Sequence, residues 1–251
     1  MKKLFIFGDS YSDWCNKDVE SPQNGETLRQ EDFWFQKLAD YKNLQLWNYG
    51  RSGYGAAGTF REFMAVVDEI NENDLVIFGL SWWERFEIHG IGFGYNHNVM
   101  GSHCNIRTKN QLEHSLKSTD PNTSDLDFWG GVFNISMYNY VEELEKASKN
   151  SDSEDGLLHH EHERAKRFAN NVCEVMRDRN LNVKFWTLPE IPDGVTPYVW
   201  KNLIEFEGMD STFDWLLKNL RYIVGGPDGD IDWHFNRKGH EKFFHMIKDK
   251  V

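Results

Sequence analysis

Apolar and polar positions along the chain fall into two alternating kinds of segment. Short apolar runs bounded by glycine or turn residues predict buried strands over Lys3–Phe7, Leu44–Tyr49, Leu75–Phe78 and Val183–Leu188. Between them, apolar residues recur at helical spacing. Phe33, Trp34, Leu38 and Tyr41 predict a helix over Asp32–Tyr41 with Asp32 as its cap, and a second helix runs from Ala56 to Ile70. Phe168, Val172, Val175 and Met176 line one face of a long helix over Glu161–Arg179. The chain closes with Tyr222-Ile223-Val224, a loop from Gly225 to Trp233 and a short helix from Lys238 to Lys248. Strands alternating with helices predict an α/β fold: a three-layer, flavodoxin-like sandwich whose mainly parallel central sheet carries helices on both faces. From Trp82 to about Asp155 the pattern gives way to Gly, Asn, Ser and His with scattered aromatics. That length exceeds a simple connection and predicts an insertion or lid within a single domain of residues 1–251.

Composition narrows the classes. Of 251 residues, 39% are hydrophobic and 15% aromatic, including 10 Trp and 18 Phe, which is a folding composition and excludes disorder over most of the length. Forty acidic residues against 28 basic ones leave a net charge of -12. That balance argues against nucleic acid or an anionic membrane and for a neutral partner. The first apolar run stops after four positions, too short for a signal-peptide core, and no stretch reaches the roughly 18 apolar residues of a membrane span. Cys15, Cys104 and Cys173 are far apart and odd in number, so neither a disulfide framework nor a cysteine zinc site is expected, and the expected location is cytoplasmic.

In parallel α/β sheets ligands bind beyond the carboxyl ends of the strands, so the residues that follow each strand are the candidates for chemistry. Here they are Gly8-Asp9-Ser10, Ser52-Gly53, Gly79-Leu80-Ser81 and, in the last loop, Asp230-Ile231-Asp232-Trp233-His234-Phe235-Asn236. A hydroxyl nucleophile needs a base to take its proton, a carboxylate to orient that base, and donors for the oxyanion. Ser10 is the candidate nucleophile, His234 the base, and Asp232 or Asp230 the orienting acid. The backbone N–H groups of Ser10 and Gly53, with the Ser81 hydroxyl, are candidate oxyanion donors.

These blocks resemble the SGNH or GDSL hydrolase superfamily. Its strand followed by Gly-Asp-Ser is matched by Phe5-Ile6-Phe7-Gly8-Asp9-Ser10, and its Asn-x-Gly-x-Ser run with a following glycine by Asn48-Tyr49-Gly50-Arg51-Ser52-Gly53. Its carboxyl-terminal Asp and His, followed by Asn and Gly, are matched by Asp232-Trp233-His234-Phe235-Asn236-Arg237-Lys238-Gly239. The resemblance implies a serine esterase that forms an acyl-enzyme on Ser10, needs no metal or cofactor, and takes a small-molecule or glycan ester such as an acetylated sugar. Two departures stand out. The usual Gly-x-Asn-Asp of the third block reads Gly79-Leu80-Ser81-Trp82, so the oxyanion amide is replaced by a shorter hydroxyl. The usual Asp-x-x-His spacing would place Ile231 as the acid, and because some relatives use Asp-x-His, Asp232 is favoured over Asp230. A catalytically weak binding module on the same fold is the alternative.

Other features carry less. Asp9, Trp82 and Trp83 are candidate substrate-binding residues, the tryptophans because aromatic faces stack on sugar rings. His159-His160-Glu161-His162-Glu163 places histidines three apart but lacks the full HExxH pattern, and Glu142-Glu143-Leu144-Glu145 reads as a solvated helix face. No phosphate-binding loop or dinucleotide fingerprint is present.

Overall fold

A computed structural model describes residues 1–14, 18, 27–51, 54–81, 83, 86–89, 103–106, 157–206, 212, 215, 219, 223–225 and 231–251, with the backbone alone for 86–89, 103–106, 157–162, 223–225 and 231–233. The chain divides into two compact units, Met1–Trp82 with Arg167–Val251, and Trp83–Lys166.

In the first unit, β1 (Lys3–Phe7), β2 (Gln45–Asn48), β3 (Leu75–Leu80) and β6 (Asn182–Thr187) form one sheet in the order β2-β1-β3-β6. Every neighbouring pair is parallel. Leu4 to Phe7 and all of β3 are buried, as continuous apolar runs require of strands covered on both faces. Because side chains alternate, the two faces take different residues. Leu4, Ile6, Leu75, Ile77 and Trp186 join a core built with Trp34, Phe35 and Leu38 of α1 (Trp34–Lys42) and Phe243, Phe244 and Ile247 of α5 (Arg237–Ile247). Phe7, Phe78 and Phe185 stack on the opposite face against Phe60 and Phe63 of α2 (Ala56–Val66). The three-layer arrangement expected from the alternation is the observed one.

The boundaries differ in places. Helix α1 starts at Trp34 because Asp32 closes a preceding 3-10 turn, Gln30–Asp32, where its side chain accepts from the Arg29 N–H at 2.9 Å. Helix α3 (Leu157–Asp178) buries Ala165, Ala169, Val172, Cys173 and Met176, while Phe168 and Val175 are only half-buried. Burial pushes the Cys173 thiol up to about 12, which keeps it protonated and unreactive. A short α4 (Pro197–Lys201) leads to Leu203, which makes a single parallel bridge to Phe185.

The larger correction concerns the last loop. Residues placed there form a strand, β8 (Ile231–Phe235), antiparallel to β7 (Ile223–Gly225). Ile231, Trp233 and Phe235 alternate with Asp232 and His234, a period of two that is itself a strand signal. The second unit contains the antiparallel pair β4 (Phe86–His89) and β5 (His103–Ile106). Most of the expected insertion, 82–155, lies outside the described residues, as do Cys15 and the acidic run at 142–145. Among the described residues no helix is long and apolar enough to cross a membrane.

Candidate active site

The chain runs from β1 outward to β2 and then returns to place β3 on the other side of β1. The strand order therefore reverses between β1 and β3, the kind of position at which open α/β sheets bind ligands. Asp9 and Ser10 follow β1 and Ser81 follows β3, so three of the candidates meet at this point.

Ser10 is half-buried and occupies the second position of a turn closed by the Ser12 N–H donating to the Asp9 carbonyl at 2.9 Å. The turn is wedged between three strand ends. A Cβ on Gly8 would lie 2.4 Å from Ser12 Oγ, one on Gly50 would lie 2.2 Å from the Ser12 carbonyl oxygen, and one on Gly79 would lie 2.8 Å from Ser12 Oγ. Only glycine lets the backbones approach this closely. Asn48 shapes the end of β2 by accepting from the Gly50 N–H at 2.8 Å, and the Arg51 N–H donates to the Gly8 carbonyl at 2.9 Å.

Asp9 is 1% exposed. Its Oδ1 accepts from the Tyr11 N–H at 3.1 Å and its Oδ2 from the Ser81 hydroxyl at 2.7 Å. A buried carboxylate requires such donors. Asp9, an expected substrate-binding residue, and Ser81, an expected oxyanion donor, are thus both buried and bonded to each other.

His234 is brought in from β8. The pairing of Val224 with Asp232 and of Ile223 with Phe235 leaves Trp233 and His234 as extra residues in β8, an irregularity of the kind that re-aims a side chain. The His234 ring packs at 5.5 Å between centroids on Tyr11, the residue next to Ser10. Tyr11 is itself held by Phe235 at 5.1 Å, by Trp186 at 6.4 Å, and by the Trp34 indole N–H, which donates to its carbonyl at 2.9 Å. Beyond His234, Asn236 caps α5 by accepting from the Gly239 N–H at 2.8 Å, which fixes where β8 ends.

Of the other expected residues, Trp83 is buried, Gly53, Trp82 and Asp230 lie outside the described residues, and so does the side chain of Asp232. His159, His160 and His162 are likewise described by backbone only, whereas Glu163 pairs with Lys166 one turn on. No group of three or more potential metal-ligating side chains occurs among the described residues.

Three features went unanticipated. Tyr11 was legible only as an aromatic after a turn, and the glycines only as strand stops. His240 is buried beside Phe33, at 4.7 Å, and Phe235, at 5.4 Å. Burial above all, with the nearby charges of Lys37 and His234, lowers its pKa to about 3, and its Nδ1 has no hydrogen-bond partner among the described residues.

No protein-family profile and no curated protein matches the chain. Among solved structures it is similar to the psychrotrophic esterase EstA from Pseudoalteromonas sp., at 12% identity over 99% of this chain and 96% of that one, with a TM-score of 0.45. It is similar to a carbohydrate acetylesterase family member from Sinorhizobium meliloti, at 12% identity over 100% and 97%, with a TM-score of 0.38. A member of the lipolytic protein G-D-S-L family from Veillonella parvula matches at 13% identity over 99% and 97%, with a TM-score of 0.35.

Proposed function

We propose that the protein is a serine ester hydrolase in which Ser10 is the nucleophile and His234 the general base. The observation that carries this reading is the packing of His234 on Tyr11, beside Ser10 and at the point where the strand order reverses. Ser10 Oγ attacks the ester carbonyl carbon while its proton passes to the His234 imidazole. The backbone N–H groups of Ser10 and Gly53 take the oxyanion. As the tetrahedral species collapses, the bond to the alkoxy oxygen breaks and the alcohol leaves with the proton from His234. Water then adds to the acyl-enzyme by the same route, releasing the acid and restoring Ser10. Asp232 orients His234, a role supported by the Asp-x-His spacing that some members of the resembled superfamily use. With 40 acidic residues against 28 basic, the protein disfavours anionic esters. A short acyl group on a neutral carbohydrate is the substrate class this favours. Residues 1–251 are read as one hydrolase domain with 82–155 as an insertion.

Hydrolysis of p-nitrophenyl acetate by the wild type beside Ser10→Ala tests the mechanism. A rate that falls by about 10⁴-fold in the variant is expected, and equal rates refute it. One observation favours a second reading, a catalytically weak glycan- or protein-binding module. Ser81 stands where the resemblance expects an oxyanion amide, and its hydroxyl is bonded to Asp9. Ser10 that fails to react with a fluorophosphonate probe in folded protein would decide for that reading.

A further inference from the structure

The bond between Ser81 and Asp9 joins the segments that follow β3 and β1, and Asp9 is the residue before Ser10. Resting on the hydrolase reading above, we infer that Ser81 and Asp9 form a positioning pair: a buried latch that fixes the nucleophile turn and, through Tyr11, the seat of His234.

The connectivity runs without a gap. Asp9 Oδ2 accepts from Ser81 at 2.7 Å, and Oδ1 accepts from the Tyr11 N–H at 3.1 Å. The Asp9 carbonyl accepts from the Ser12 N–H at 2.9 Å, so side chain and backbone of one residue hold both positions that follow Ser10. The Tyr11 backbone so fixed carries the ring on which His234 rests. Each member of the pair is at most 1% exposed, so water cannot replace a partner that is lost. The Ser81 hydroxyl reaches the Asp9 carboxylate from the residue that follows β3. The departure from Gly-x-Asn-Asp is therefore a substitution of role. The residue after β3 braces the nucleophile, and oxyanion donation falls to backbone N–H groups.

The latch is tested by the rate at which a fluorophosphonate labels Ser10, read alongside hydrogen exchange of the Tyr11 amide, in Ser81→Ala, Asp9→Asn and the double variant. Asp9→Asn keeps the shape of the side chain and serves if Ser81→Ala does not fold. Each single variant is expected to lose about 10- to 100-fold in labelling rate, since misplacement on the ångström scale costs that much. The Tyr11 amide is expected to exchange faster, and the double variant to fall little further than either single one, because the two residues act as a unit. Labelling within about twofold of the wild type in folded variants, or losses that simply multiply, overturns the latch. The exchange measurement separates this from the activity. Wild-type protein that fails to label refutes the hydrolase, yet faster Tyr11 exchange in the variants still supports the latch, and unchanged exchange overturns it.

Discussion

His240 is expected to make the protein sensitive to mild acid. Its imidazole is sealed between Phe33 and Phe235 on the first turn of α5, faced by Lys37 from α1 and by His234 from β8, while Glu241 on its own helix is engaged by Lys37 at 2.7 Å. The ordinary histidine value is 6.5, and burial lowers it here to about 3, so in the intervening range the unfolded chain binds a proton that the native protein excludes. Stability is then complete above the unfolded value and falls as the pH drops towards the folded one. For one such group the loss between about pH 7 and about pH 5 is about 2 kcal/mol, and it approaches about 5 kcal/mol once the native ring also titrates. His240→Leu removes the titrating group with little change in volume and deletes a buried Nδ1 that lacks a partner among the described residues, so at neutral pH it is expected to be neutral or stabilising. Urea unfolding of both proteins across this range isolates the effect, since the remaining carboxylates and histidines are common to the two. The difference in unfolding free energy should widen in favour of the variant by about 2 kcal/mol on acidification to about pH 5. Parallel pH profiles would refute the assignment of the acid sensitivity to this ring.

Two further outcomes follow from the packing of the nucleophile turn. Gly79→Ala would place a Cβ 2.4 Å from Trp186 Cζ2 and 2.8 Å from Ser12 Oγ, so a loss of about 1–3 kcal/mol is expected, together with slower labelling of Ser10, and an unchanged thermal midpoint would count against it. Ser12 Oγ is buried without a hydrogen-bond partner among the described residues, so Ser12→Ala should be neutral or stabilising by about 1 kcal/mol in denaturant unfolding, and a clear destabilisation would show that the hydroxyl is satisfied.

Much of the fold was legible because its signals are local. The blocks Leu4-Phe5-Ile6-Phe7 and Leu75-Val76-Ile77-Phe78 can be buried only as strands covered on both faces, and Phe33, Trp34 and Leu38 repeat at the period of a helix. Ser10 and Ser81 could be placed at strand ends for the same reason. Strand β8 was misread as loop because glycines and aspartates before it outweighed the short alternation from Ile231 to Phe235. What each polar group touches was decided by tertiary structure alone. Asp9 and Ser81 are 72 positions apart, and nothing in either neighbourhood encodes their bond; it exists because β3 lies beside β1 in register. The same long-range pairing turned three strand-ending glycines into the walls around Ser12 and an aromatic after a turn into the seat of His234. Periodicity along the chain is a property of neighbouring residues and determined the layers. The partner of a buried donor, acceptor or ring is set by the packing of distant segments, and only the assembled sheet decided it.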